Sequence, residues 1–209
     1  MSYTLDDFYI KAIQDYGLDA VWPQEVLTEA KLIPNEVERD KNFLDLPFVT
    51  IDGEDAKDFD DAIFCEIIPE GFNLKVAIAD VSFYVTNDTP MDVEALRRST
   101  STYFPRKVIP MLPEQLSNDV CSLKPGKYRR AMLADVFLDK SGMIINYQFK
   151  QCMIRSAARL TYNQVEQDSF TDESFAESLS AASVLHKQLK AHKQKRGALD
   201  LNIGEPVLV

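Results

Sequence analysis

The chain has 209 residues, 33 acidic against 23 basic, a net charge of −10 and a sequence pI near 4.7. With 45% hydrophobic and 27% charged residues the composition is that of a globular protein, which excludes disordered and fibrous classes. So acidic a balance argues against a protein that coats nucleic acid through bulk charge alone.

Residues 1–45 read as short polar helices. Thr4-Leu5-Asp6-Asp7 has the form of a capping box, so a helix is expected from there to Gly17. Pro23 suits the first position of a second helix through Ala30. From Leu46 the pattern changes to β-branched and aromatic runs, LPFVTID, AIFCEII and FNLKVAIADV, the last two separated by a Pro69-Glu70-Gly71 turn. Pro90 to Arg98 is expected to be helical, with acids early and arginines late. The proline-rich stretch 103–130 is expected to be mostly loop.

A second hairpin turns at Asp139–Gly142 and continues as a long strand to about Arg155. An amphipathic helix over 174–196, with Phe175, Leu179, Ala182, Leu185 and Leu189 at helical spacing, is closed by Gly197. The expected fold class is α+β: N-terminal short helices, then a mixed or antiparallel sheet with hairpins, then a late amphipathic helix.

Three scattered cysteines, Cys65, Cys121 and Cys152, without a C-x-x-C pair exclude a disulfide scaffold and a thiolate zinc site. They are expected to be small buried hydrophobes in a reducing, cytoplasmic setting, and no stretch is apolar enough to span a membrane. Charge is unevenly distributed: residues 1–61 carry −11, 62–96 carry −5, 97–130 carry +6 and the remainder is neutral. An acidic first third thus faces a basic, loop-rich middle.

The densest chemistry is Ile51-Asp52-Gly53-Glu54-Asp55-Ala56-Lys57-Asp58-Phe59-Asp60-Asp61-Ala62, with six carboxylates in ten residues between apolar strands. Two carboxylates about 4 Å apart repel by roughly 1 kcal/mol in water and roughly 4 at an effective dielectric near 20. Holding several between core strands is costly without a cation, and Mg²⁺ prefers such oxygen ligands. If the stretch is extended, Asp58 and Asp60 share one face while Phe59 points into the core. An EF-hand is excluded because Lys57 stands where glycine is required. The bland alternative is a solvated acidic loop.

TIDGEDAKDFDDA resembles the catalytic signature of the ribonuclease II/ribonuclease R exoribonucleases, the RNB domain. The likeness continues through VAIADVSFYV, STSTYFPRKVIPMLPEQLSNDVCSLKP, IRSAARLTYNQV and KRGALDL, with wording nearer the ribonuclease R branch. It implies Mg²⁺-dependent hydrolysis of single-stranded RNA from the 3′ end to nucleoside 5′-monophosphates. It further implies that Asp52, Asp58, Asp60 and Asp61 are the catalytic and metal-site residues, with Asp60 most important to the chemical step.

By the same resemblance Tyr103 stacks on a base near the 3′ end and Tyr162 lines the catalytic cavity; Arg106 and Lys107, which flank Tyr103 in the sequence, are candidates to neutralise phosphates. Read without the family, each tyrosine is a half-buried packing residue. Arg97 and Arg98 are equally open to phosphate binding and helix capping, whereas the basic run Lys187–Arg196 is best explained as helix C-terminal charge. The family often has His where Phe83 stands.

The resemblance implies a helical linker over 1–45 and the N-terminal half of a catalytic domain over 46–209, without the family's later arginine-bearing loop. The expectation is therefore a 3′-to-5′ exoribonuclease weakly active or inactive as this chain, with an exposed half-domain surface prone to association. The alternatives are an incompetent remnant that binds metal, RNA or a partner, and a divalent-metal module unrelated to RNA.

Overall fold

A computed structural model describes residues 4–104, 107–167 and 173–199. Helix α1 spans Leu5–Asp15; the Thr4 hydroxyl accepts from the Asp7 backbone N–H while the Asp7 carboxylate accepts from the Thr4 N–H, so the capping box forms as expected. Gly17, at φ +62°, ends it in a left-handed conformation that glycine adopts without strain. Helix α2 covers Gln24–Leu32, with Pro23 as its N-cap rather than its first residue. It runs two residues past Ala30 and stops at extended Ile33, as a residue preceding proline prefers.

Strands β1 (Val49–Asp52), β2 (Asp61–Ile68) and β3 (Gly71–Ala79) follow, then helix α3 (Pro90–Arg98). The stretch expected to be mostly loop holds more: a short hairpin of β4 (Thr102–Phe104) and β5 (Lys107–Ile109), and a π-helical turn at Leu116–Val120. Strands β6 (Tyr128–Asp139) and β7 (Ile144–Arg155) form the second long hairpin. Strand β8 (Ala158–Thr161) leads directly into helix α4 (Tyr162–Glu166), and helix α5 (Ala176–Lys195) completes the described elements.

Six strands form one sheet in the order β7-β6-β3-β2-β1-β8, antiparallel throughout except for the parallel β1–β8 pair. The α+β class with a mixed sheet is thus as expected. One face carries Ala62, Phe64, Ala77, Leu133 and Ile154, covered by Val26 and Ala30 of α2, Met91 of α3, and Leu112 and Leu116. The opposite face is partly covered by α5, whose Leu179 packs with Val49 and Leu160 and whose Leu185 packs with Phe72 and Leu138. All three cysteines are buried and free, as expected.

Among the described residues, no helix is long and apolar enough to cross a membrane. Arg106 and residues 200–209, which include the end of the RGALDL phrase, lie outside the described residues.

Candidate active site

The carboxylate loop joins the end of β1 to the start of β2, so Asp52 and Asp61 are each held by a ladder: Asp52 is the register partner of Thr161, and Asp61 of Ile78. Between them, residues 53–60 are irregular rather than the extended strand the alternation presumes. Phe59 nevertheless points coreward, half-buried against the main hydrophobic cluster.

Its backbone fixes it there. The Phe59 N–H donates to the Ser122 hydroxyl at 3.0 Å, and its carbonyl accepts from the Leu123 N–H at 2.8 Å. The Ser122 hydroxyl donates in turn to the Lys57 carbonyl at 3.3 Å, and the Asp60 carbonyl accepts from the Ala79 N–H at 2.8 Å. Main-chain bonds on both sides therefore position Asp58 and Asp60, although neither belongs to a strand.

Arg159 of β8 secures the other end of the loop. Its Nη2 donates to the carbonyls of Gly53 and Glu54, the latter at 2.8 Å. Its guanidinium carbon lies 5.6 Å from the Phe59 ring centroid. Asn163 Nδ2 donates to Glu54 Oε1 at 3.2 Å, so Glu54 supports the loop. None of Ser122, Arg159 and Asn163 stands out by sequence, since each is a common residue type far along the chain from the aspartates.

The four aspartates influence one another. Partial burial raises the Asp52 carboxyl above the usual range; repulsion from Asp61, Asp58 and Asp60 adds to this, and Arg159 opposes it. Desolvation by neighbouring protein atoms raises Asp60, reinforced by Asp58 and Asp61. Asp52 Oδ2 is buried with no hydrogen-bond partner. A buried acceptor costs free energy until something pairs with it, and repelling carboxylates favour a hard cation. The donor set therefore fits a divalent ion. Among the described residues, no three His, Cys, Asp or Glu groups already form a closed cage, so the aspartates are neighbours rather than a preformed shell.

Tyr162 follows Thr161 directly, so the parallel β1–β8 pair brings it to the carboxylate end of the sheet, where it is 65% exposed. Tyr103 and Lys107 lie instead on the separate β4–β5 hairpin. That hairpin packs on α1 through the edge-to-face pair Phe104–Tyr9, with Lys107 Nζ 5.7 Å from the Tyr9 ring. Arg97 and Arg98 are occupied structurally: both pair with buried Glu94, Arg97 also with Asp19, and Arg98 lies 3.5 Å over the Trp22 ring. Phe83 has the Arg130 guanidinium 4.5 Å from its ring.

The RNB domain model matches residues 40–209. The chain belongs to the RNB family. Ribonuclease R of Acidithiobacillus ferrooxidans is 41% identical over 201 residues, covering 90% of this chain and 46% of that protein. Ribonuclease R of Escherichia coli K12 is 40% identical over 207 residues, 93% of this chain and 26% of that one.

Among solved structures, apo Mycoplasma genitalium RNase R superposes with a TM-score of 0.85 at 37% identity, covering 94% of this RNB chain and 33% of that chain. The same enzyme in complex with ribose-methylated single-stranded RNA gives 0.82 at 36% identity. This RNB chain thus spans about a quarter to a half of the length of those curated relatives.

Proposed function

We propose that Asp52, Asp58, Asp60 and Asp61 form the Mg²⁺ site of a hydrolytic 3′-to-5′ exoribonuclease that releases nucleoside 5′-monophosphates. The observation that carries this reading is the carboxylate loop itself. Four mutually repelling aspartates are anchored by Ser122, Ala79 and Arg159, and one buried Asp52 oxygen lacks a partner. Ribonuclease R relatives, one of them solved with single-stranded RNA, supply the substrate class.

Asp52, Asp58, Asp60 and Asp61 would hold the divalent ion, whose chemistry there would be activation of water and compensation of phosphodiester charge. The chain's own contribution is positional. Asp52 and Asp61 project from paired strand ends, and the Phe59 anchor holds Asp58 and Asp60 on either side of it. Tyr162, beside them and exposed, offers a ring on which any base can stack, a contact worth about 1–3 kcal/mol. Tyr103 is the second stacking group, with Lys107 and Arg106 as phosphate partners.

The same proposal keeps the division between a helical lead-in over 1–45 and the N-terminal half of the catalytic domain over 46–209. It also places the protein in the cytoplasm. Because the relatives are two to four times as long, turnover by these 209 residues alone is expected to be weak.

Single-stranded RNA labelled at one end or the other tests the reading. The expected result is slow release of a 3′ label as mononucleotide, dependent on Mg²⁺ and absent with Asp60→Asn. Release that persists in EDTA or with Asp60→Asn, or that begins at the 5′ end, overturns it.

A further inference from the structure

The two edges of the six-stranded sheet are unlike. Strand β8 has four residues and runs straight into α4. Strand β7 has twelve, pairs with β6 on one side only, and is exposed at every residue from Ile144 to Gln151. Its last turn toward β8 is closed: the Met153 N–H donates to the Asn42 carbonyl at 3.1 Å and its carbonyl accepts from the Leu44 N–H at 2.9 Å. Among the described residues, nothing pairs with the outer side of 144–152.

Those two bonds show which main-chain groups face outward. Polarity alternates along a strand, so if Met153 turns its N–H and carbonyl away from β6, Gln151, Phe149 and Tyr147 do the same. The alternation holds back to the bulge where Phe137 faces Asn146 and Leu138 faces Ile144. The Tyr147 N–H accordingly turns to its neighbour and donates to Asn146 Oδ1 at 2.9 Å. Natural edges are commonly blunted by proline or by several charges, whereas 144–151 holds no proline and one charge, Lys150. Tyr147 and Phe149 stand on one face of it, 59% and 67% exposed, with ring centroids 5.6 Å apart.

We infer that β7 is the seam of a twofold dimer, in which a second copy of this chain continues the sheet antiparallel across that edge. Met153 sets the register. Because residues 42–44 occupy its outer side, two copies overlap no further than Ile144 of one opposite Cys152 of the other. That places Gln148 on the twofold axis and Tyr147 opposite Phe149 of the second copy, each such pair exchanging two hydrogen bonds. Four rings then meet on one face, and Lys150 faces Asn146, so no like charges are opposed.

Charge at the two ends of β7 fits the same arrangement. The Ile144 end adjoins the β6–β7 turn, where His192 Nε2 meets the Ser141 carbonyl at 2.7 Å and α5 brings Lys190, Lys193 and Arg196 alongside. The Met153 end adjoins residues 36–45, where Glu36, Glu38, Asp40 and Asp45 outnumber Arg39 and Lys41. Antiparallel pairing lays the basic end of each copy beside the acidic segment of the other, which offsets repulsion between two chains of net charge −10. A seam one strand long is at the small end of specific interfaces, so the dimer is reversible.

Sedimentation over about a hundredfold range of concentration tests this without RNA or metal, so the outcome does not depend on the nuclease reading. The wild type is expected to pass from monomer to dimer as concentration rises. Tyr147→Lys with Phe149→Lys sets like charges across the seam and raises the dissociation constant at least about tenfold. Val93→Lys with Leu96→Lys, at exposed positions of α3, adds the same charge and leaves the equilibrium unchanged. Gln148→Cys, on the axis with Cα atoms about 4.5 Å apart, closes a disulfide between copies in oxidised glutathione. Asn146→Cys, roughly 14 Å from its own copy, does not, and the native cysteines are buried. If circular dichroism shows that the Tyr147/Phe149 pair has lost its fold, the contrast between positions 148 and 146 decides alone. A wild type monomeric at every concentration, lysine pairs of equal effect in folded proteins, or cross-linking at 146 as fast as at 148 overturns the proposal.

Discussion

At the scale of single residues, the site divides into groups that sequence exposes and groups that it hides. The four aspartates are legible because they are crowded within one loop between apolar strands, and like charges so placed demand a cation. Ser122 and Arg159 are not legible: they lie 63 and about 100 residues from their loop partners, and nothing in a lone serine or arginine signals that role. Ser122 is fully buried and bridges Phe59 and Lys57. Ser122→Ala removes the acceptor of the Phe59 N–H and is expected to destabilise the fold by about 1–3 kcal/mol. It also loosens Asp58 and Asp60, so Mg²⁺ affinity should fall by about 10- to 100-fold, as for supports of metal ligands elsewhere. Denaturant titration and calorimetry on the same variant check both effects.

At the scale of elements, both long hairpins are legible from alternation and turn residues, as are α1 from its capping box and α3 from Pro90 and its charge pattern. What escapes is short or non-local. Strand β8 has four residues and pairs in parallel with β1 across more than 100 intervening residues, so no local pattern reports it. The β4–β5 hairpin is masked by Pro105 and Pro110, which argue for loop. Phe59 shows the opposite case: the inference from alternation gives its coreward direction, yet the backbone there is irregular and long-range bonds set it.

Helix α3 is joined to the N-terminal segment through Arg97, which pairs with Asp19, and Arg98, which lies over Trp22, and Glu94 holds both arginines. Hydrogen bonds and charge from Arg97 and Arg98 hold its carboxyl at about 2 against an ordinary 4.5. A folded-state pKa below the unfolded one contributes stability that is fully present above about pH 4.5 and lost as pH falls toward about 2. The melting-temperature gap between the wild type and Glu94→Gln should therefore be largest at neutral pH and narrow across that window. A gap that does not change with pH would show that the arginine contacts contribute nothing through charge.

At the scale of the whole molecule, net charge is a poor guide until it is divided. Much of the −10 lies in the N-terminal helices and the carboxylate loop, while the sheet face between α5 and β7 carries cations and exposed aromatics. The +6 middle segment, by contrast, spends Arg97, Arg98, Arg129 and Arg130 on internal partners. Lys190, Lys193 and Arg196, which line a groove between α5 and the β6–β7 turn, belong to a stretch that is electrically neutral as a whole. They form a basic run visible in the sequence, and the fold sets that run beside the turn.

The central claim is that the aspartate loop is a divalent-cation site, and Mg²⁺ titration of the 209-residue chain by calorimetry tests it without relying on turnover. Saturable binding is expected for the wild type, with loss of binding for Asp52→Asn and Asp60→Asn at unchanged circular dichroism. Asp55→Asn, in the same acidic run but outside the proposed set, should bind as the wild type does. Equal binding by all four proteins, or none by the wild type, would contradict the account.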